Sequence, residues 1–206
     1  MAAATSGGRR RVGSVITERR HRESFAEKRE RRGAVDDPAV VLEAAARFLE
    51  ARARSIGEVR RRLSQAGYRA ELIDGAIERL TELGMLDDTA FARAWVESRD
   101  RARPRGERAL ANELRIRGVD REVIAATLED RRVVEANPDD DIEPPSADEA
   151  AAERLLARNA RALDRVADPR ARRQRAYGLL ARNGFDPGVC ATVSARLVDT
   201  SEADTE

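Results

Sequence analysis

Three times in this chain the same short pattern brings a helix to an end. Leu63-x3-Gly67-Tyr68, Leu114-x3-Gly118-Val119 and Leu180-x3-Gly184-Phe185 each set an apolar anchor four residues before a glycine and an apolar residue directly after it. Glycine can take the left-handed conformation that closes a helix without a Cβ clash, and the apolar residue then folds back on the helix it ends. Five residues further on stand Ile73, Ile124 and Cys190, preceded by Leu72, Val123 and Val189. Asp120 and Asp186 occupy the cap of the next helix; Arg69 stands there in the first copy, so that helix should be capped less well.

Each copy extends backwards into a longer amphipathic helix. Val41, Ala45, Phe48 and Leu49 mark the first, Phe91, Ala92, Trp95 and Val96 the second, and Leu155, Leu156, Leu163 and Val166 the third. Asp37-Pro38, Asp168-Pro169 and Asp186-Pro187 read as helix starts, the carboxylate capping and the proline fitting the first turn. Ser55-Ile56-Gly57-Glu58 and Ser146-Ala147-Asp148-Glu149 have the form of capping boxes. No alternating strand pattern lasts beyond a few residues. The expected fold is therefore all-α: an elongated tandem array of three three-helix modules at 37–86, 87–132 and 146–198. Around it are expected a disordered basic arm over 1–36, an acidic linker over 133–145 and an acidic tail over 199–206. Modules of this size bury too little surface to stand well alone, so neighbours should stack.

Composition agrees with thin helical layers. Aromatic residues make up 3% of the chain and charged residues 37%, which leaves alanine and leucine to do most of the packing. There is no long apolar run and no hydrophobic leader, so the expectation is a cytoplasmic protein without a membrane span. The net charge of +1 is arranged in blocks. Residues 1–36 hold ten basic side chains against five acids, 133–150 hold seven acids and no base, and 151–198 hold ten arginines against four acids. Basic blocks suit an anionic partner. The linker acids Asp139, Asp140, Asp141 and Glu143 are placed to compete with DNA for the arginines that follow.

Catalytic chemistry is missing from the pattern. There is no glycine-rich phosphate loop, no nucleophile–base pair and no metal-ligand spacing, and the one histidine, His21, falls in the basic arm. Cys190 takes the position of Ile73 and Ile124, which makes it a core residue. No cofactor is expected, and no enzymatic activity.

The most specific residues surround the second module. Gly84-Met85-Leu86-Asp87-Asp88 leads into Phe91-Ala92, Trp95 and Arg99, then Pro104-x-Gly106, Leu110, Glu113-Leu114 and Gly118-Val119. This run closely resembles the RecX family, and Ser55-x2-Glu58-Val59-x3-Leu63-x3-Gly67 is similar to that family's first module. The resemblance covers about residues 38–198. It implies a regulator that lies in the groove of the RecA recombinase filament on single-stranded DNA and restrains filament growth, ATP turnover and strand exchange, in recombination, repair and the SOS response; the chain itself is expected to act as a monomer.

On the residues alone, Asp88 is expected to cap the helix presenting Phe91 and Trp95, Trp95 to pack into the core, and Gly106 to serve a helix entry. Leu114 and Gly118 belong to the repeated helix end. Two arginine sets are candidates for contact with partner protein or with single- or double-stranded DNA. Arg99, Arg101, Arg103, Arg105 and Arg108 lie between two helices. Arg154, Arg158, Arg161 and Arg165, spaced by 4, 3 and 4, would form one stripe about 16 Å long on a continuous helix. Two other functional classes fit an all-helical array. One is a DNA-binding protein of helix-turn-helix type, though the sequence shows no obvious recognition helix with Arg, Asn and Gln grouped at its start. The other is a scaffold for some other protein.

Overall fold

The computed structural model describes residues 23–132 and 145–203, and within them the chain forms eleven helices and no strand. A short helix α1 (Phe25–Gly33) comes first. Helices α2 (Pro38–Leu49), α3 (Ile56–Ala66) and α4 (Ala70–Glu82) enclose one core, built on Val41, Val59, Leu63, Ile73, Ile77 and Leu80. A second lies among α5 (Asp88–Ala102), α6 (Glu107–Arg117) and α7 (Arg121–Arg132), built on Phe91, Leu110, Leu114, Val119 and Ile124. The third is held by α8 (Ala147–Arg158), α9 (Ala160–Leu163), α10 (Pro169–Arg182) and α11 (Pro187–Ala203), around Leu156, Leu163, Leu180, Phe185 and Cys190. The fold is an all-α tandem array of three-helix modules, and every side-chain bond between modules joins neighbours among the described residues.

The repeated helix ends behave alike. Gly67, Gly118 and Gly184 have φ of 102°, 81° and 83°, and Tyr68, Val119 and Phe185 send their N–H groups back to the carbonyls of Leu63, Leu114 and Leu180. Ile73, Ile124 and Cys190 are all buried. Asp120 accepts from Glu122 N at 2.8 Å and Asp186 from Gly188 N at 2.9 Å, whereas Arg69 makes no side-chain cap.

Three expectations are corrected. The basic arm is not disordered throughout: residues 25–33 form α1, while 1–22 lie outside the described residues. The helix starts at a complete capping box, in which Ser24 Oγ accepts from Glu27 N and Glu27 Oε2 accepts from Ser24 N at 2.7 Å. It buries no side chain of its own. Instead its backbone lies against Gly67, where a Cβ would come within 2.7 Å of Arg29 O, and Arg32 sits 5.8 Å over the Tyr68 ring.

The second correction concerns module three, whose first helix does not run on to Val166. It stops at Arg158, because Asn159 turns its side-chain amide onto Leu155 O at 2.8 Å and tightens the backbone to Leu156 O. The four residues of α9 then carry Leu163 into the core. The expected S-x-x-E boxes form only by half: Ser55 and Ser146 accept from Glu58 N and Glu149 N, but the Glu58 carboxylate turns to arginines.

Candidate functional site

The middle helices α3, α6 and α10 run head to tail. Where α3 starts, α6 ends: Ser55 Oγ donates to Arg117 O at 2.6 Å, and Gly57 meets Gly118 backbone to backbone. Where α6 starts, α10 ends: Gly106 N donates to Asn183 O at 3.1 Å, and a Cβ on Gly184 would come within 2.5 Å of Ala109 Cβ. Gly106 is indeed the helix entry expected of it, the N-cap of α6. In this arrangement the carbonyl end of one helix dipole faces the N–H end of the next.

A carboxylate from the following module completes each junction. Asp88 does not cap its own helix, as the sequence suggested; Asp87 does, accepting from Thr89 N at 2.8 Å and Ala90 N at 3.0 Å. Asp88 reaches back to Ile56 N at 2.8 Å, the first N–H of α3. Burial pushes its carboxyl above the ordinary range against the pull of that N–H, and Asp87, Asp120 and Glu58 push it the same way. Asp148 does the equivalent for Glu107 N at 3.2 Å, the first N–H of α6.

Around the first junction Trp95 is a structural centre. It is partly buried against the second core and stacked on Phe91 at 6.2 Å between centroids. Its indole N–H donates to Glu113 Oε2 at 2.9 Å, and the guanidiniums of Arg99 and Arg117 lie 4.3 Å and 3.5 Å from its ring centre. Glu113 also accepts from Arg99 Nε at 2.7 Å. Arg117 continues to Glu58 at 2.9 Å. Burial would raise the Glu58 carboxyl, but Arg52 and Arg117 outweigh it and hold it below the usual range.

The second junction centres on Arg131, which the sequence did not single out. Its side chain is only 8% exposed. It donates through Nε and Nη2 to Asp100 at 3.0 and 2.9 Å, and through Nη1 to Asp148 at 2.5 Å. Burial opposes the charged guanidinium, yet these two carboxylates more than offset it.

The two arginine sets therefore divide. Arg99 and Arg105 are internal, bound to Glu113 and, for Arg105, to Asn183. Arg154 lies 3.8 Å from Asp100, and Arg158 donates to the carbonyls of Arg101 and Ala102, closing the end of α5. The single stripe does not exist, since Asn159 interrupts the helix and Arg165 lies beyond α9. Arg101, Arg103, Arg108, Arg161 and Arg165 remain exposed, with only a 3.8 Å approach of Arg101 to Glu97 among the described residues. Sequence reasoning also passed over the arginines of α10. That helix carries Arg170, Arg172, Arg173, Arg175 and Arg182 and no acid, a signal that the block charge of the segment concealed.

No group of three or more His, Cys, Asp or Glu among the described residues could hold a metal ion. Burial pushes the Cys190 thiol up, which suits its place in the core. Among the described residues no helix is long and apolar enough to cross a membrane.

Comparison with known proteins agrees with this architecture. The family model "RecX, first three-helix domain" matches residues 42–80, and "RecX, second three-helix domain" matches residues 87–128. A Mycobacterium sp. (strain JLS) protein named "Regulatory protein RecX" is 36% identical over 147 residues, covering 71% of this chain and 75% of that protein. Its namesake from Mycolicibacterium smegmatis is 35% identical over 160 residues, covering 76% and 79%. The crystal structure of RecX from Lactobacillus salivarius superposes with a TM-score of 0.66 at 18% identity, over 80% of this chain and 98% of that one.

Proposed function

Because this chain belongs to the RecX family of regulatory proteins, we propose that it binds the RecA recombinase filament on single-stranded DNA and lowers its ATP turnover, growth and strand exchange. The observation that carries this reading is the pair of interlocked junctions, which makes one continuous array of modules in a member of that family. A continuous array can contact several protomers of a filament at once, so weak contacts add through effective concentration. The modules at 37–86, 87–132 and 146–198 are the contacting units. Arg101, Arg103, Arg108, Arg161 and Arg165 are the side chains left free to meet phosphates or carboxylates. The protein acts in the cytoplasm, without catalysis of its own. It acts as a monomer, a state favoured by the way α1 covers the Gly67 end of the row and Asp168 caps α10 at the other.

A helix-turn-helix reading fares worse on the same geometry. A recognition helix offers its N-terminal residues to base edges, but the starts of α3 and α6 are enclosed by the next module, which leaves α10 alone of the middle helices placed to do so. The test is recombinase ATP hydrolysis on single-stranded DNA with this protein titrated in. Inhibition well below one copy per recombinase protomer is expected; unchanged hydrolysis and strand exchange at equimolar protein would sink the proposal.

A further inference from the structure

Module three carries a cavity that plays no part in the junctions. It measures about 450 Å³ and opens between α10 and α11, lined by Arg170, Arg173, Gln174, Tyr177, Ala191 and Ser194. We propose that this cavity is a binding site for single-stranded nucleic acid, with a base against the Tyr177 ring and flanking phosphates on Arg170 and Arg173.

Three observations carry the assignment. Positions 170, 173, 174 and 177 recur at spacings of three and four, so they share one face of α10 over about 10 Å. That face is opposite in kind to the core stripe of Ala176 and Leu180. The guanidiniums on it are uncommitted: Arg170 and Arg173, like Arg175 and Arg182, are exposed and have no ion pair or hydrogen bond among the described residues through their side chains. Elsewhere among the described residues the arginines are mostly engaged, as Arg99, Arg117, Arg131 and Arg158 are. Finally, Tyr177 is 38% exposed although it is one of few aromatic side chains.

Cations that follow a backbone beside an aromatic platform for a base are the two elements of single-strand recognition. An acidic peptide would satisfy the arginines but has no use for the ring. Duplex DNA keeps its bases stacked on one another and unavailable to it. Gln174 adds an amide able to donate to and accept from a base edge. Binding of a free strand requires no recombinase, so the site can be tested with none present.

Fluorescence anisotropy of a short labelled oligothymidylate with the full chain, at low salt, is the measurement. Wild type should bind it, and more tightly than duplex of equal length. Tyr177→Ala should weaken binding about tenfold and Tyr177→Phe should restore it, since stacking needs the ring and not the hydroxyl. Arg170→Glu with Arg173→Glu should weaken it further and flatten its salt dependence. An abasic strand should bind wild type and Tyr177→Ala alike. Circular dichroism controls for folding. No binding by wild type overturns the proposal, and so does equal binding by folded Tyr177→Ala. If polyglutamate displaces the oligonucleotide from wild type and from Tyr177→Ala with equal ease, the cavity is an acidic-peptide site and the proposal fails.

Discussion

Gly57 and Gly118, from different modules, touch through their backbones: a Cβ on Gly57 would lie 2.7 Å from Gly118 Cα and 2.8 Å from Arg117 O. Neither atom is the end of a flexible side chain, so the contact has no room for a methyl group.

Gly57→Ala should therefore destabilise the protein although alanine favours a helix by about 1 kcal/mol over glycine. Gly75 gives the contrast, since nothing lies within 4 Å of its Cβ position in α4. Gly75→Ala should stabilise by up to about 1 kcal/mol. Denaturant midpoints of the two variants should move in opposite directions.

Asp88 ties the modules through Ile56 N–H with a carboxyl whose pKa is raised in the fold. A raised carboxyl binds its proton more tightly folded than unfolded. Its contribution is therefore complete below the ordinary aspartate range and declines as pH climbs through that range to the raised value. Asp88→Asn keeps an acceptor without charge, so it should be tolerated and should remove that decline. Asp88→Ala leaves the N–H without a partner and should cost about 1–3 kcal/mol. Thermal unfolding across mildly acidic to neutral pH separates the two.

Arg131→Met should leave Asp100 and Asp148 without their shared cation in a site where Arg131 is 8% exposed. Removing one partner of a buried pair costs about 3–5 kcal/mol. Lysine should rescue little, because it cannot bond both oxygens of Asp100 in the forked geometry seen here. Denaturant unfolding of the full chain measures the loss.

Charge reversal should separate free arginines from structural ones. Arg161→Glu with Arg165→Glu should leave stability unchanged and raise the concentration needed for recombinase inhibition about tenfold at low salt. That loss should shrink as salt shortens the Debye length to about 10 Å at 0.1 M. Arg158→Glu should instead lower stability, having lost the carbonyls of Arg101 and Ala102. Inhibition assays paired with thermal melts would expose either assignment as mistaken.

Local features of this fold were legible in the sequence. The glycines at 67, 118 and 184 and the caps at Asp120 and Asp186 act within a few residues of themselves, so their spacing carries the information. Helix α1 has a local signal as well, since Ser24-Phe25-Ala26-Glu27 spells its capping box, but with no buried face it has no apolar period to mark it as a helix. The candidate site was harder. Asp88 and Ile56 are 32 residues apart, and Arg131 and Asp100 are 31. Such pairings have no period, so spacing alone points Asp88 to the nearest helix and gives Arg131 no role. The stripe of Arg154, Arg158, Arg161 and Arg165 is not legible because one asparagine, Asn159, ends the helix that would carry it.

The beginnings of the middle helices differ in one respect. The first N–H groups of α3 and α6 wait for an aspartate delivered by the segment that follows, Asp88 or Asp148, whereas α10 opens on its own Asp168 and Pro169. Asp168 thus acts as punctuation: the row of middle helices closes at this end on a cap of its own, where the other two starts each borrow a carboxylate from a neighbouring module.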